Sequence, residues 1–576
     1  MATTRVVIIG AVALGPKTAC RIKRLRPDFH VTMVDQDEYI SYGGCGIPYY
    51  ISGDVSDVSE LMSTSFHMLR NPQFFEKAKG VKVLTRTRAE SIDRKAKTVR
   101  IRDLNTGQED DLPYDYLVLA TGSVANRPPI PGLDHPRVTS VSNLHEAVAV
   151  KEKIAQGEVD KAVIVGAGAI GCEMAEALSD LWGVETALVE IAPQVLPGVL
   201  DTSLARMVRK HLEEHDVAVH LGETVREVAA PAEGDGPLVV RTDHRELEAD
   251  LVITAVGVRP SGELARNAGL AVSPRGGILV NQRLQTSDPF IYAGGDCIEV
   301  MHQITGRHFH FPQGSLANRQ GRVIGTNICG GSARFPGSVG TFAVKIFDLA
   351  VATAGLTRKA AREEGFDPLF VLLVQADRAH FYPTQDLMYL AAVVDRRTRR
   401  VLGIQGVSHN GDALVGRVNA VAAIMAARGT VEDLSNLEVA YSPPFASAMD
   451  IVNALGNTAE NTLDGLNRPL DPEVFEDLFF HGQDDRILCL DVRGPQNAAP
   501  FVARFGDRWI NIPQETLEER LDQVPRDKQL VLICNSGVRS YEALLQLRKA
   551  GITNALNLQG GVAAIKKSGI VDLSGE

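Results

Sequence analysis

KAVIVGAGAIGCEMAEALSDLWG, residues 161–183, is the stretch that decides the fold class. Its opening AVIVG is a short, unbroken apolar run, the pattern of a strand buried on both faces of a parallel sheet. Glycines follow at 166, 168 and 171, and a helix-like segment follows them. In such a turn Gly166 permits the tight bend, Gly168 lets a pyrophosphate approach the backbone, and Gly171 lets the helix pack on the strand. The helix N-terminus adds free N–H groups and the positive end of its dipole. The next strand, TALVE, ends at Glu190, 19 residues after Gly171. A carboxylate there accepts hydrogen bonds from both ribose hydroxyls and repels a 2′-phosphate, so the unit reads as a site for NADH in preference to NADPH.

The same pattern occurs 156 residues upstream in RVVIIGAVALGPKTACRIKRL (5–25), with Gly10 and Gly15 in place, Val12 for the middle glycine and Ala13 after it. Its second strand, VTMVD, ends at Asp35. Two more stretches support it as a dinucleotide unit. LVLATGS (117–123) carries Thr121 and Gly122 at a strand–glycine crossing, and TSDPFIYAGGDC (286–297) ends a strand at Asp296. An acid at that point suits the ribityl and pyrophosphate region of a flavin. The simplest assignment is FAD in the first unit and NADH in the second. A third strand–turn–helix, QLVLICNSGVRSYEALLQLRKAG (529–551), ends its strand at Cys534, and a loop to Arg539 leads into a helix. Such a loop wraps N–H groups round the sulfur, and these, the helix terminus and Arg539 favour a thiolate or its persulfide.

At 576 residues the chain is too long for one core, and length alone suggests about four domains. Net charge is −11 with no dense Lys/Arg run, so nucleic acid is not an expected partner. Seven irregularly spaced cysteines speak against a disulfide framework and fit reduced thiols in the cytoplasm. MATTRVVIIGAVALG looks a little like a leader, but it runs on into the basic PKTACRIKRL, and no stretch has the ~18 apolar residues of a membrane span. The expectation is an untargeted protein without a membrane partner.

SYGGCGIPYY (41–50) sets Cys45 among three glycines. On this stretch and ISG after it, with VGVRP (256–260), LANRQGR (316–322) and AYSPPFASAMD (440–450), the chain resembles the pyridine nucleotide–disulfide oxidoreductase superfamily over about residues 1–455. Within it the resemblance is to the single-cysteine branch of coenzyme A-disulfide reductases, NADH oxidases and NADH peroxidases. Two-cysteine relatives place a second sulfur five positions on, where this chain has Tyr50. On ILCLDVR (487–493) and LICNSGVRS (532–540), the C-terminal part resembles a rhodanese domain.

The resemblance implies an α/β chain with two Rossmann-like FAD and NAD(P)H domains, an α+β dimerisation domain and a C-terminal α/β rhodanese domain. The expected spans are 1–120 with 250–328 for FAD, 121–249 for NADH, 329–455 for dimerisation, a linker at 456–472 and rhodanese at 473–570. It implies a homodimer whose C-terminal domain completes the partner's active site. It also implies reduction of persulfides, polysulfides, coenzyme A-persulfide or coenzyme A-disulfide, with Cys45 as redox nucleophile and Cys534 as persulfide carrier. Tyr441, and Tyr382 in Phe381-Tyr382-Pro383, are the implied aromatic hydroxyls. Arg24 and Lys79 are implied at the coenzyme A channel, with Ser41 before the cysteine, and Gly44 stands where relatives often carry Asn.

Two other readings stand beside this one. An NADH oxidase or peroxidase would cycle Cys45 through a sulfenic acid, although Ala13 stands where peroxidases of the branch carry His. A non-catalytic sulfur carrier or sensor would leave the reductase half idle. His302, His308 and His310 lie close together, but no cysteine or carboxylate joins them at ligand spacing, so no metal is expected. Cys20, Cys172 and Cys329 read as core residues, Cys489 as part of a strand, and Cys297 as a neighbour of the flavin that does not react.

Overall fold

The structure is a computed structural model that describes residues 3–231, 236–482 and 486–571. Its contacts divide it into two compact units, Met1–Ile191 with Glu223–Ser338, and Ala192–Gly222 with Val339–Glu576.

The first unit carries two parallel sheets. One runs Ile291–Ala293, Tyr116–Leu119, Arg5–Ile9, His30–Val34 and Lys82–Leu84 in spatial order, all parallel. Its central strand, Arg5–Ile9, is buried in four of five positions, as an unbroken VVII run between two covered faces requires. The other holds Glu185–Glu190, Lys161–Val165, Leu251–Thr254 and Val138–Thr139 side by side, again parallel. Leu251–Thr254 corrects an expected boundary: it pairs with Lys161–Val165, so the chain has not returned to the first sheet at residue 250 and does so only at Ile291–Ala293. The apolar LVIT run sits between the pairing strands on both sides, a placement that periodicity alone does not assign to one sheet or the other.

The helix Gly314–Ile328 lies against the helix Leu14–Leu25, and the glycines of its sequence make the approach possible. A Cβ on Gly321 would lie 2.9 Å from the Leu14 carbonyl oxygen, and one on Gly325 would lie 2.8 Å from the Arg21 Cβ. This is the packing that LANRQGR encodes.

In the second unit, an antiparallel sheet runs Phe342–Ile346, Leu349–Gly355, Val401–Ser408, Leu387–Asp395 and Pro368–Ala376. The helices Gly411–Ala426 and Ile451–Leu463 pack on it. The latter corrects the expected linker at 456–472, whose first half is helix. Asp450 caps it by accepting from the Val452 N–H, and Leu455, Gly456, Ala459 and Thr462 are buried. A Cβ on Gly456 would sit 2.5 Å from the Ser435 nitrogen, so the small residues here serve close packing and not flexibility.

From Pro469 the chain builds a parallel sheet in the order Pro469–Leu470, Ala555–Leu558, Gln529–Ile533, Ile487–Asp491 and Trp509–Asn511. Trp509, Phe475, Phe479 and Phe501 fill its core. The Asp-x-Arg element of ILCLDVR is structural: Arg493 pairs with Asp491 through both carboxylate oxygens, at 2.9 and 2.6 Å, and Asp491 also accepts from the Trp509 indole at 3.1 Å. Among the described residues no helix is long and apolar enough to cross a membrane.

Candidate active site

The two glycine turns of the first unit are built alike. Gly10 and Gly166 both sit at φ +106°, a left-handed conformation that glycine alone adopts freely. A Cβ at either would run into the carbonyl oxygen of Ala120 or Ala255, at 2.1 and 2.5 Å. A Cβ at Gly15 or Gly171 would lie 1.9 Å from the oxygen of the first glycine of its own turn. Gly168 is different, because no atom lies within 4 Å of where its Cβ would be. Neither steric packing nor φ keeps that position bare, so the space in front of it is available to a ligand.

The acids that end the second strands share one geometry too. Asp35 accepts from the Ala11 N–H at 2.7 Å, and Glu190 from the Ala167 N–H at 2.8 Å. Each ties its carboxylate to the glycine turn beside it. The helices that follow start at Ala13 and Gly168 with no side chain capping them, which leaves N–H groups facing the turn for an anion. Asp296 lies at the end of Ile291–Ala293, where burial pushes its carboxyl up and the Ser123 hydroxyl, at 3.3 Å, opposes the shift. Thr121 donates to the Ser261 carbonyl at 2.6 Å, and Gly122 turns with φ +68°. Open glycine turns, uncapped helix N-termini and two acids fit a dinucleotide in each sheet's turn.

Cys45 occupies a single 3₁₀ turn, Gly44–Gly46, which leads into the helix Ile47–Ser52. It is exposed. Partial desolvation by the protein around it, then the carboxylates of Glu173 and Asp296, push its thiol above the usual range, while the N–H groups of Cys45 and Gly314 pull the other way. The glycine-rich loop therefore does not by itself favour the Cys45 thiolate. Glu173, two residues past Gly171, is the residue that sequence reasoning passed over. Burial, then Glu176, push it up to about 7, within reach of a proton at neutral pH. Its only signal was position, on the exit of a turn assigned wholly to nucleotide binding. Tyr49 joins it, raised to about 12 by burial and then by Glu173.

Tyr50 is buried, with the Lys151 ammonium 4.0 Å from its ring centroid, so an aromatic–cation pair fills the place of a second sulfur. All seven cysteines are free thiols. Ser41 holds φ +50° and donates its N–H to Ala11, fixing the cysteine loop to the first glycine turn. Gly44 is sterically free: its Cβ would meet only a Tyr42 ring carbon at 3.8 Å. Arg24 is exposed in the last turn of its helix, and Lys79 lies 5.0 Å over the Phe74 ring. Both bring positive charge to the Cys20 thiol, so the fold gathers them in one basic neighbourhood. The histidines at 302–310 have separate tasks. His302 is buried and accepts from the Ile304 N–H, His310 holds the Asp296 carbonyl at 2.8 Å, and His308 is exposed.

In the second unit, Tyr382 lies in a turn, with its N–H on the Ala379 carbonyl. The segments bearing Tyr382 and Tyr441 run together, because Ala379 donates to Pro443 and Ser447 to Arg378. Tyr441, Phe381, Phe445 and Met449 are exposed. Cys534 is buried, and its sulfur accepts from the Gly537 N–H at 3.1 Å. The Ser540 hydroxyl lies 3.2 Å from that sulfur and 2.7 Å from Asn557 Oδ1. It has one proton, so it can face the sulfur as donor or the amide oxygen, which suits either thiolate or thiol. Gly537, at φ +95°, makes the sharp turn that starts the helix Val538–Lys549. Arg539 is half-buried in the first turn of that helix and is not among the sulfur's hydrogen-bond partners.

The model of the pyridine nucleotide-disulphide oxidoreductase family matches residues 4–317, that of its dimerisation domain residues 341–452, and that of the rhodanese-like domain residues 472–568. The chain is 35% identical over 451 residues to a CoA-dependent NAD(P)H sulfur oxidoreductase of Pyrococcus furiosus, covering 78% of this chain and 98% of that protein. Among solved structures, it is similar to an NAD-dependent persulfide reductase from A. fulgidus, with TM-score 0.91, 39% identity, and coverage of 97% of this chain and 100% of that one. It is also similar to the reduced CoADR-RHD of Bacillus anthracis, with TM-score 0.89, 31% identity, and coverage of 99% and 98%.

Proposed function

The chain belongs to the pyridine nucleotide-disulphide oxidoreductase family and ends in a rhodanese-like domain, and from that premise we propose that it is an FAD-dependent NADH:persulfide reductase acting on sulfane sulfur carried by coenzyme A or a similar thiol. The observation that carries this reading is the solitude of Cys45. Its loop holds no second sulfur, Tyr50 is packed against Lys151 in that place, and the sulfur it reacts with must come from a substrate. A rhodanese-type cysteine elsewhere in the chain points to the chemical type of that substrate.

Gly10, Gly15, Asp35, Thr121, Gly122 and Asp296 would hold FAD, with Ala13 opening the helix behind it. Gly166, Gly168, Gly171 and Glu190 would hold NADH. Bound FAD supplies a two-electron relay between reduced nicotinamide and the sulfur. The remaining steps belong to the side chains. The Cys45 thiolate attacks the outer sulfur of a persulfide R–S–SH, forming Cys45–S–SH and releasing RS⁻. Two electrons then break the new S–S bond, giving the Cys45 thiolate and hydrosulfide. A proton held on Glu173 removes the charge that opposes the thiolate, and Glu173 can return that proton to the departing sulfur.

Arg24 and Lys79 are the groups for the coenzyme A phosphates, and Ser41 keeps the cysteine loop in register. The subunit pair is a homodimer. The exposed Phe381, Phe445 and Met449 beside Tyr441 supply an apolar face, and Tyr382 and Tyr441 would donate hydrogen bonds to the leaving sulfur of the partner subunit. Cys534 would carry sulfane sulfur for larger donors. Anaerobic turnover with coenzyme A persulfide tests the reading: one hydrosulfide released per NADH oxidised supports it. NADH oxidation that needs oxygen and yields no hydrosulfide overturns it in favour of an oxidase.

A further inference from the structure

A second cluster of chemistry lies wholly within the second unit. His211 lies on the helix Thr202–Glu213, and His215 follows one turn later. They meet Asp348, in the turn between Phe342–Ile346 and Leu349–Gly355, and His409, just past Val401–Ser408. One ligand atom each from His211, His215 and Asp348 lies within 4.8 Å of the others.

The hydrogen bonds fix which atoms are lone pairs. His215 Nδ1 lies 2.8 Å from the His211 carbonyl oxygen, so it must carry the proton and donate it. In the neutral ring Nε2 of His215 is then the lone pair, oriented by a backbone carbonyl as metal-binding imidazoles commonly are. His211 is almost wholly buried, and its Nε2 has no hydrogen-bond partner although Asp348 Oδ1 is 3.0 Å away. A buried nitrogen facing a carboxylate without a hydrogen bond is a costly arrangement that a cation ligated by both would resolve. His409 Nδ1 is 3.2 Å from the other oxygen of Asp348, and Lys567 contacts His409 on its far nitrogen, Nε2, at 3.3 Å. Lys567 and Lys210 bring the positive charge to this corner, and Glu214 offsets part of it, 3.4 Å from Lys210 and 4.0 Å from His211 Nδ1.

We infer that His211, His215 and Asp348 form a binding site for a divalent transition metal of the zinc class, with Asp348 oriented by His409 and one coordination position open to solvent. Two imidazoles and a carboxylate are a donor set that zinc accepts with a water as fourth ligand. Zinc bonds of about 2.0–2.2 Å require ligand atoms roughly 3.4 Å apart. His211 and Asp348, at 3.0 Å, are already inside that spacing, and Asp348, 69% exposed, is the member with room to adjust. The bound ion would pin the helix Thr202–Glu213 to the Asp348 turn, beside the end of the helix Gly561–Lys567. The histidines responsible are not those at 302–310, and nothing in their sequence spacing joins His211 and His215 to an aspartate more than a hundred residues away.

The test uses the untagged, full-length holoenzyme, freed of metal with a chelator and then equilibrated by dialysis against micromolar zinc. Metal per chain is counted by plasma mass spectrometry for the wild type, Asp348→Asn and His215→Ala. Zinc on the cysteines is common to all three and cancels. The expected result is one zinc fewer per chain in each variant, with affinity at this site weakened about tenfold or more. Without zinc, the circular dichroism and the melting temperature of the variants should match those of the wild type, showing that the variants fold, and zinc should raise the melting temperature of the wild type alone. Equal zinc counts in the wild type and both variants, or no zinc on the wild type, overturn the inference.

Discussion

At the scale of single residues, the structure shifts attention from the loop around Cys45 to the carboxylate facing it. Partial desolvation and then Glu173 raise the thiol, and Glu173 itself sits near 7. Removing a negative charge beside a thiol favours its thiolate, so Glu173→Gln should lower the apparent pKa of Cys45. The pH dependence of Cys45 alkylation by iodoacetamide, followed by peptide mass spectrometry, reads this directly, and an unchanged midpoint would remove Glu173 from the mechanism. Glu190 has a different task. Its carboxylate is anchored to the Ala167 N–H, and in the proposed reading it would repel a 2′-phosphate. Glu190→Ala should cut the kcat/KM preference for NADH over NADPH by about tenfold, or about 1.4 kcal/mol. The cysteines, glycines and acids were legible because their spacing carries the chemistry. Glu173 was not, since nothing in the sequence says that the helix after the second glycine turn faces Cys45.

At the scale of elements, the two strand–turn–helix units were readable because glycine is forced on them. Gly10 and Gly166 need φ +106°, and Gly15 and Gly171 have no room for a side chain. Gly168 has room and no strain. Gly168→Ala should therefore fold and keep its flavin, yet raise the KM for NADH about tenfold or more by filling the space where a pyrophosphate approaches. Flavin absorbance and NADH kinetics on one preparation check both halves, and an unaltered KM would show that the space is not used. The misreadings at this scale share a cause. Leu251–Thr254 is an apolar run that either sheet could have taken, and pairing assigned it to the second. Residues 456–463 have a linker's composition, but they are helix, and Gly456 lets that helix pack close against Ser435. Small residues signal close packing as readily as flexibility, and only the partner tells which.

Over the whole molecule, the chain joins a reductase with one exposed thiol to a module whose buried Cys534 lies among donors from Gly537 and Ser540. The fold class was legible because the two dinucleotide units and the rhodanese-like module each carry their own turn chemistry, while the dimerisation part came from the resemblance alone. The corner formed by His211, His215 and Asp348 was not, since its members are brought together by packing and not by spacing. The central claim is that Cys45 is the sulfur that takes sulfane sulfur from a thiol carrier and is cleared by electrons from NADH. Its most direct measurement is anaerobic, NADH-driven hydrosulfide release from coenzyme A persulfide by the wild type, Cys45→Ser and Cys534→Ala, with flavin bleaching by NADH recorded for each. The account predicts that Cys45→Ser bleaches normally but loses release by on the order of a thousandfold, while Cys534→Ala keeps release within about twofold on this small substrate. Hydrosulfide release by Cys45→Ser at the wild-type rate would contradict it.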